Sequence, residues 1–281
     1  MKPTSRTDTA LGARLAAARL DWIVADWPAP PTVCALITTR SGGVSRGPYA
    51  TMNLGFATAN RVTGDDIACL AENRRRLDRH LPSSPVWLDQ VHGTAVATLE
   101  GAAVAAARAA PPTADAAVTR ERGVVCAVLT ADCLPVLLAD RAGRAVGIAH
   151  AGWRGLAGGV LEATIDALAA LGVGSGDLAA WLGPAIGPAA FEVGADVVEA
   201  FCAADAGAAA CFVPHADGKW RADLYGLARR RLAAAGVGAV TGGGFCTHAD
   251  AARFYSFRRE RETGRMAALV WLDPAAPGGC V

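Results

Sequence analysis

Two histidines and one cysteine are the candidate metal ligands of this sequence. His92 follows one apolar stretch, His150 ends another, and Cys133 lies in a turn between two apolar runs. Neutral imidazole and thiolate suit a zinc ion, and three protein ligands leave one coordination position open, as in catalytic zinc sites. The spacing of the three residues fits no local metal motif, so ordinary structural roles in turns and in the core are the alternative.

An arginine falls on the apolar face of a predicted helix. Ile67, Leu70, Leu77 and Leu81 recur at helical spacing, and Arg74 occupies the same stripe. A cation that faces a core must be paired or must reach a cavity. Arg74 is therefore predicted either to clamp an anionic substrate in a pocket or, as the alternative, to form a buried ion pair or extend its charged end to solvent.

Two glycine-rich loops could present backbone N–H groups to an anion. One spans residues 41–48, and the other spans residues 152–155 and leads into a predicted helix. Neither loop matches a nucleotide-binding motif, so ordinary turns are the alternative. Asp132, which adjoins Cys133, is a candidate for proton transfer. Weaker candidates for substrate binding lie in or near these loops: Arg40, Asn53 and Arg154.

The rest of the pattern is mixed helix and strand, with no repeat and no strict β–α–β alternation. Strands are predicted at 33–39, 86–91, 94–99, 124–130, 135–139, 144–150, 178–182, 237–240 and 266–272. Helices are predicted at 8–20, 65–81, 160–171, 194–203 and 223–235. The Ala- and Pro-rich stretch 101–113 is predicted to be a mobile surface loop. This pattern predicts a single α+β domain and not a doubly wound sheet.

Composition excludes several classes of protein. The 281 residues include 27 Lys and Arg against 26 Asp and Glu, and this balance argues against a nucleic-acid binder. Hydrophobic residues make up 52% of the chain, which excludes disorder, and no apolar run reaches the length of a membrane span. The eight cysteines are scattered without a CxxC pair. We therefore expect a cytoplasmic protein that binds neither nucleic acid nor a membrane.

Several motifs resemble those of one family in order and spacing. They are Thr38–Ser45, Asn53–Gly55, Glu72–Arg74, Gln90–Gly93, Thr130–Pro135, Ala149–Gly155, Gly183–Pro188, Phe254–Arg259 and Thr263–Met266. Together these motifs resemble the laccase-domain family, whose members are variously called multicopper polyphenol oxidase, purine nucleoside phosphorylase and peptidoglycan editing factor. The resemblance covers about residues 33–273, so it includes nearly the whole chain.

The resemblance implies a fold, a metal site and a reaction. The expected fold is a layered α/β domain over residues 31–281, related to the catalytic domain of cytotoxic necrotising factor and preceded by an N-terminal extension, 1–30. His92, Cys133 and His150 would be the zinc ligands, and Arg74 would be the pocket arginine of the family. The implied reactions are phosphorolysis of adenosine, inosine and methylthioadenosine, and hydrolytic deamination of adenosine. The sequence does not indicate an oligomeric state.

Three other functions stay open at this point. A peptidoglycan editing factor would hydrolyse cell-wall peptide precursors with Cys133 as nucleophile and a histidine as base. A polyphenol oxidase would use copper, but five histidines without an HxH pair cannot supply a trinuclear cluster, so only weak copper-dependent oxidation would fit. A zinc-stabilised binding protein would have no activity. Since Cys133 cannot readily be both a metal ligand and a free nucleophile, metal content separates the phosphorylase from the editing factor.

Overall fold

The computed structural model describes residues 10–55, 64–215 and 218–274. Its strands are β1 (Ile23–Val24), β2 (Val33–Ile37), β3 (Val96–Thr98), β4 (Ala116–Thr119), β5 (Cys126–Thr130), β6 (Leu134–Asp140), β7 (Val146–Ala151), β8 (Leu178–Leu182), β9 (Glu192–Val193), β10 (Phe212–His215), β11 (Lys219–Ala222), β12 (Ala239–Gly242) and β13 (Met266–Leu272). Its helices are α1 (Ala10–Ala17), α2 (Ile67–Asp78), α3 (Ala102–Ala109), α4 (Trp153–Gly158), α5 (Val160–Ala170), α6 (Ala195–Cys202), α7 (Leu224–Ala234) and α8 (Phe257–Glu260). The predicted α+β class is confirmed.

Two sheets pack face to face. One has four antiparallel strands in the order β1–β2–β13–β5, and the other has six strands in the order β12–β8–β6–β7–β4–β3. The six-stranded sheet is antiparallel at its centre, and its two edge strands, β12 and β3, pair in parallel with their neighbours. A small antiparallel sheet, β10–β11–β9, stands apart.

Strand β6 shows why the central strands appear in the sequence as continuous apolar runs. All seven of its residues are buried. Leu137 and Ala139 pack in the core between the two sheets, whereas Val136 and Leu138 pack in the core under the helices. Because side chains alternate between the faces of a strand, covering both faces requires apolar residues at consecutive positions.

Helices cover the outer face of each sheet. Helices α5, α6 and α7 pack on the six-stranded sheet. On the four-stranded sheet, Leu11 and Leu15 of α1 and Leu77 of α2 join a cluster with Leu36 and Trp271. The domain is thus layered as helix, sheet, sheet and helix. Within the described ranges, no helix has both the length and the apolar character of a membrane span.

Most of the predicted elements occur within a few residues of their predicted limits, but several expectations need correction. The glycine-rich stretch 152–155, predicted as a loop, forms the N-cap and first turn of α4. The stretch 101–113, predicted as a mobile loop, contains α3, because its alanines favour helix and Val104 and Ala107 pack in the inter-sheet core. The stretch 86–91 makes only isolated bridges at Val86 and Asp89. Strands β1 and β9 to β11 and helix α8 were not predicted. Residues 8 and 9 of the predicted first helix lie outside the described residues.

The buried amide of Asn73 organises the glycine-rich loop after β2. Its oxygen accepts the Val44 N–H at 2.9 Å, and its nitrogen donates to Ser45 Oγ, to the Thr51 carbonyl and to the Asn53 carbonyl at 2.9–3.1 Å. Asn73 has no exposed surface. One side chain on α2 therefore fixes the backbone on both sides of the loop.

We expect Asn73→Ala to lower the free energy of unfolding by about 2–4 kcal/mol, because several buried backbone groups lose their partner at once. Chemical denaturation of both proteins measures the change. Glu72→Ala is the matched control on the same helix. Its partners Arg75 and Arg76 lie on the surface, so this change should lower the free energy of unfolding only slightly. Equal losses in the two variants would contradict this role for Asn73.

Candidate metal centre and active site

The three predicted metal ligands come from three separate segments that meet at one end of the six-stranded sheet. Cys133 lies in the turn between β5 and β6, and His150 lies near the end of β7. The pairing of Pro135 with His150 brings that turn beside the end of β7. His92 lies in the loop before β3 and has a positive φ of 61°. The sheet register therefore fixes two of the ligands, and a strained loop supplies the third.

The ligand atoms converge on one point. One ring nitrogen of each histidine and Cys133 Sγ all lie within 4.8 Å of one another. Cys133 Sγ is 3.7 Å from His92 Nε2, and the ring centroids of His92 and His150 are 4.8 Å apart. The group could hold a metal ion, as the sequence predicts.

A buried carboxylate, Asp115, holds two of the ligands in place. It accepts the backbone N–H groups of Val91, His92 and Gly93 at 3.1, 3.0 and 2.6 Å. It also lies 2.9 Å from His150 Nδ1. When His150 donates its Nδ1–H to Asp115, its Nε2 is left as the ligand atom, the arrangement common for metal-binding histidines.

Electrostatics favour a thiolate at the centre of this group. Burial alone would raise the pKa of Cys133, but His150 and His92 lower it below its ordinary value through their charge and hydrogen bonds. Burial would likewise lower the pKa of His150, yet Cys133 and Asp115 raise it. Asp115 keeps a lowered pKa despite its burial because His150 and backbone N–H groups stabilise its charge. The thiol is therefore prepared to bind a cation, since the thiolate is the form that ligates metals.

The backbone beside the ligands leaves room only for glycine. A Cβ atom on Gly152 would lie 2.8 Å from His92 Cδ2 and 3.0 Å from Cys133 Sγ. The chain therefore approaches the ligand group closely without displacing it. The donor set of two imidazoles and one thiolate, together with this close packing, fits a zinc ion. The same donor set could accept copper.

The ligand group opens into a cavity of about 690 Å³. That volume lies within the range of small-molecule sites in proteins. Apolar side chains of Leu88, Leu129 and Ala131 form part of its wall. Polar and aromatic side chains form another part of the lining: Tyr49, Asn53, Phe257, Arg261, Glu262 and Arg265.

Three arginines predicted to bind substrate lie outside the lining formed by the described residues. Arg74 lies over the Trp87 ring at 4.9 Å, donates to the Leu54 carbonyl at 3.4 Å, and has a pKa lowered by burial. Its apolar stripe correctly predicts burial; among the described residues, that face meets Trp87.

The other two arginines have structural contacts. Arg40 donates to the carbonyls of Ala50 and Ala251 and lies near Glu260. Arg154 is exposed and stacks on Trp153 at 4.3 Å. Of the four predicted substrate-binding residues, only Asn53 lines the cavity among the described residues.

Asp132, the predicted proton-transfer residue, has its carboxylate engaged elsewhere. The carboxylate accepts the Thr247 hydroxyl and the Arg258 N–H, both at 2.6 Å. The backbone carbonyl of Asp132 accepts the Ile186 N–H, and its φ is 88°. The carboxylate of Asp132 therefore connects the Cys133 turn to α8 through buried hydrogen bonds.

Sequence reasoning missed two groups of residues. Asp115 shows only one signal, a carboxylate directly before an apolar strand. Arg261 and Arg265 lie in a charged stretch without helical or strand periodicity, so nothing in the pattern separates them from surface arginines. The Thr263–Met266 motif, which carries part of the family resemblance, was the available clue.

Comparison with known proteins gives consistent matches. The family described as multi-copper polyphenol oxidoreductase laccase matches residues 34–273. A purine nucleoside phosphorylase of Pseudomonas aeruginosa is 54% identical, over 90% of this chain and 98% of that protein. The purine nucleoside phosphorylase YfiH of Escherichia coli is 51% identical, over 89% and 98% of the two chains. The crystal structure of a Neisseria meningitidis protein aligns with a TM-score of 0.82 at 48% identity, over 90% and 99%.

Replacing His92, Cys133 or His150 by Ala should weaken zinc binding more than about 100-fold, because loss of a partner behind the ligands alone costs 10–100-fold. Protein purified without added metal should carry about one zinc per chain, measured by plasma mass spectrometry. Cys202→Ala, in α6, is the matched control and should keep its zinc. Full zinc content in Cys133→Ala would disprove the ligand assignment.

Asp115→Asn should lower zinc affinity about 10–100-fold while leaving the three ligands present, because the amide cannot match the charge that orients His150. Competition with a chelator of known affinity measures this change. Asp166→Asn on the exposed side of α5 serves as control. An unchanged affinity in Asp115→Asn would show that the carboxylate does not support the metal centre.

Proposed function

This chain belongs to the multi-copper polyphenol oxidoreductase laccase family, and we propose that it is a zinc-dependent purine nucleoside phosphorylase with a slower adenosine deaminase activity. Its substrates would be adenosine, inosine and methylthioadenosine, together with inorganic phosphate. Relatives that are 54% and 51% identical over most of both chains carry the name purine nucleoside phosphorylase. Their names support the substrate class, and the site supports the chemistry.

One observation carries the proposal: the candidate metal ligands His92, Cys133 and His150 share a cavity with two arginines, Arg261 and Arg265. Phosphorolysis needs an anion-binding group near the sugar and a polar environment for the departing base. Arginine suits a phosphate because its planar fork makes paired, charge-assisted hydrogen bonds. The two arginines and the polar lining of one cavity therefore support both requirements, a site for phosphate and a polar environment for the base.

In the proposed reaction, a phosphate oxygen forms a bond to C1′ of the ribose as the bond from C1′ to N9 breaks. The electron pair of the broken bond goes to the purine, which takes up a proton and leaves as the free base. The chain contributes by holding the two reactants together and by stabilising charge. The apolar side chains of Leu88, Leu129 and Ala131 in the cavity lining would pack against the nucleoside and limit the access of water.

The polar wall can orient the nucleoside. The Tyr49 hydroxyl donates to Glu262 Oε1 at 3.0 Å, and the pKa of Tyr49 is raised by burial and by this carboxylate. The phenol therefore stays protonated, and its hydrogen bond holds the Glu262 carboxylate at the cavity lining. A bound zinc ion would supply Lewis acidity, which can polarise a purine and acidify water for deamination.

A cysteine-dependent amide hydrolase is the second candidate, in the manner of a peptidoglycan editing factor. The lowered pKa of Cys133, its 3.7 Å contact with His92 and the pairing of His150 with Asp115 favour it in metal-free protein. A copper-dependent polyphenol oxidase has less support. Within the part of the chain that the structure describes, the sole such group of three or more ligands is the His92, Cys133 and His150 set, too few for a multicopper cluster.

The direct test follows base release from adenosine, inosine and methylthioadenosine by zinc-loaded protein. We expect adenine and ribose 1-phosphate from adenosine only when phosphate is present, and slow formation of inosine without phosphate. Chromatography identifies the bases, and phosphorus NMR identifies the sugar phosphate. Cys133→Ala should lose both reactions together with its zinc.

The same assay separates the candidates. Amide hydrolysis of cell-wall peptide precursors would need no phosphate and would persist after zinc removal. If zinc-loaded protein leaves all three nucleosides intact in excess phosphate, the phosphorylase proposal is wrong. Activity on a peptide precursor in metal-free protein would then establish the hydrolase.

A further inference from the structure

We propose that Arg261, with Arg265 beside it, is the phosphate-binding residue of this site. This inference rests on the proposed function, and it names the group that would hold the second substrate. It replaces the arginines suggested by the sequence pattern, which lie outside the described cavity lining.

Arg261 is accessible from the cavity, and no described carboxylate pairs with its charge. It lines the cavity together with the metal ligands, and its side chain is exposed. Among the residues that the structure describes, its guanidinium has no carboxylate partner, and its guanidinium carbon lies 5.7 Å from the centroid of the Phe257 ring. An arginine held at a cavity without a counter-ion can accept an anion at little cost in broken contacts.

The backbone at Arg261 is held in a strained turn. Its φ of 57° and ψ of −59° belong to a rare form of γ-turn, and the Glu262 N–H bonds to the Glu260 carbonyl at 2.6 Å across it. The position immediately after a helix commonly carries glycine when φ is positive. A long cationic side chain at such a position agrees with a functional constraint, since strain of this kind concentrates at binding sites.

A second guanidinium approaches the same ring. The Arg265 guanidinium carbon is 5.9 Å from the centroid of Phe257. Arg265 Nη1 donates to the carbonyls of Thr263 and Gly264 at 3.0 Å, which fixes the orientation of its fork. Phe257, which is 45% exposed, thus has two guanidinium groups within 6 Å of its ring centroid at the cavity lining. Two arginines around one exposed surface suit a dianion such as phosphate.

Buried contacts connect this segment to the metal ligands. Asp132, adjacent to Cys133, accepts the Arg258 N–H in the first turn of α8, and Ser256 Oγ accepts the Arg259 N–H. The segment that carries Arg261 is therefore anchored to the Cys133 turn through one residue. A phosphate held at Arg261 would be placed relative to a nucleoside by the same framework.

The test compares Arg261→Gln with Arg141→Gln in zinc-loaded protein. Arg141 is exposed after β6, at the opposite end of that strand from Cys133. We expect Arg261→Gln to raise the KM for phosphate about 10–100-fold, the value of a charge-assisted hydrogen bond, with unchanged zinc content and melting temperature. Arg141→Gln should match the wild type. The phosphate KM of Arg261→Lys should lie between those of Arg261→Gln and Arg141→Gln, because lysine keeps the charge but lacks the planar fork of arginine.

Phosphate binding is also measured without turnover. Inorganic phosphate titrated into the zinc-loaded protein, followed by calorimetry, should bind Arg261→Gln at least about tenfold more weakly than the wild type. Zinc content and melting temperature are measured on the same samples. Unchanged values in Arg261→Gln, with phosphate binding by Arg141→Gln equal to that of the wild type, would separate a phosphate-binding role from general damage to the cavity.

The outcomes distinguish the inference from the function on which it rests. Nucleoside phosphorolysis with an unchanged phosphate KM in Arg261→Gln would overturn the role of Arg261 and leave the phosphorylase intact. Phosphate binding that depends on Arg261, in a protein that leaves nucleosides untouched, would support the anion site and refute the phosphorylase. Wild-type protein that binds no phosphate would overturn the inference.

Discussion

The carboxylate of Asp115 is the interaction on which the candidate site depends. It is fully buried, and it is hydrogen-bonded to three consecutive backbone N–H groups and to His150. Burying a carboxylate is costly unless its oxygens are fully hydrogen-bonded, and these partners offset that cost. The same bonds stabilise the positive φ of His92, which an isolated loop would not keep. One side chain thus fixes a ligand on a strand and a ligand on a loop.

Asp132 is a second buried carboxylate that joins distant segments of the site. Asp115 joins the loop of His92 to the strand of His150, and Asp132 joins the Cys133 turn to the segment that carries Arg261. The carboxylate of Asp132 accepts the Thr247 hydroxyl and the Arg258 N–H, so it links the turn that holds Cys133 to the helix before Arg261. The proximity of Asp132 to Cys133 in sequence suggested a chemical role. Its buried hydrogen bonds explain instead why a carboxylate is needed at that turn, since two donors from distant segments must be paired.

The sequence, with its family resemblance, predicts the layered core and the grouping of His92, Cys133 and His150. It does not predict features that depend on contacts between distant segments. Apolar runs identify β5 to β7 because both faces of those strands are buried. Residue types and spacing leave the role of His92, Cys133 and His150 open, and the family resemblance singles them out as a group, which the structure brings together. The stripe of α2 predicts that Arg74 is buried, but a helical pattern cannot tell whether that face meets Trp87 or a cavity. Strands β9 to β11 carry half-exposed side chains without clear alternation, so their pairing leaves no signal.

The arrangement around Cys133 favours a ligand over a nucleophile. A cysteine nucleophile needs one base and an open path to its substrate. Here two imidazoles surround one thiol, and Gly152 brings the backbone close to both Cys133 and His92. A second imidazole adds nothing to a nucleophile and its base, whereas three convergent donors are what a cation requires. The lowered pKa of Cys133 serves either role, so the number of donors, and not the acidity of the thiol, is the feature that discriminates.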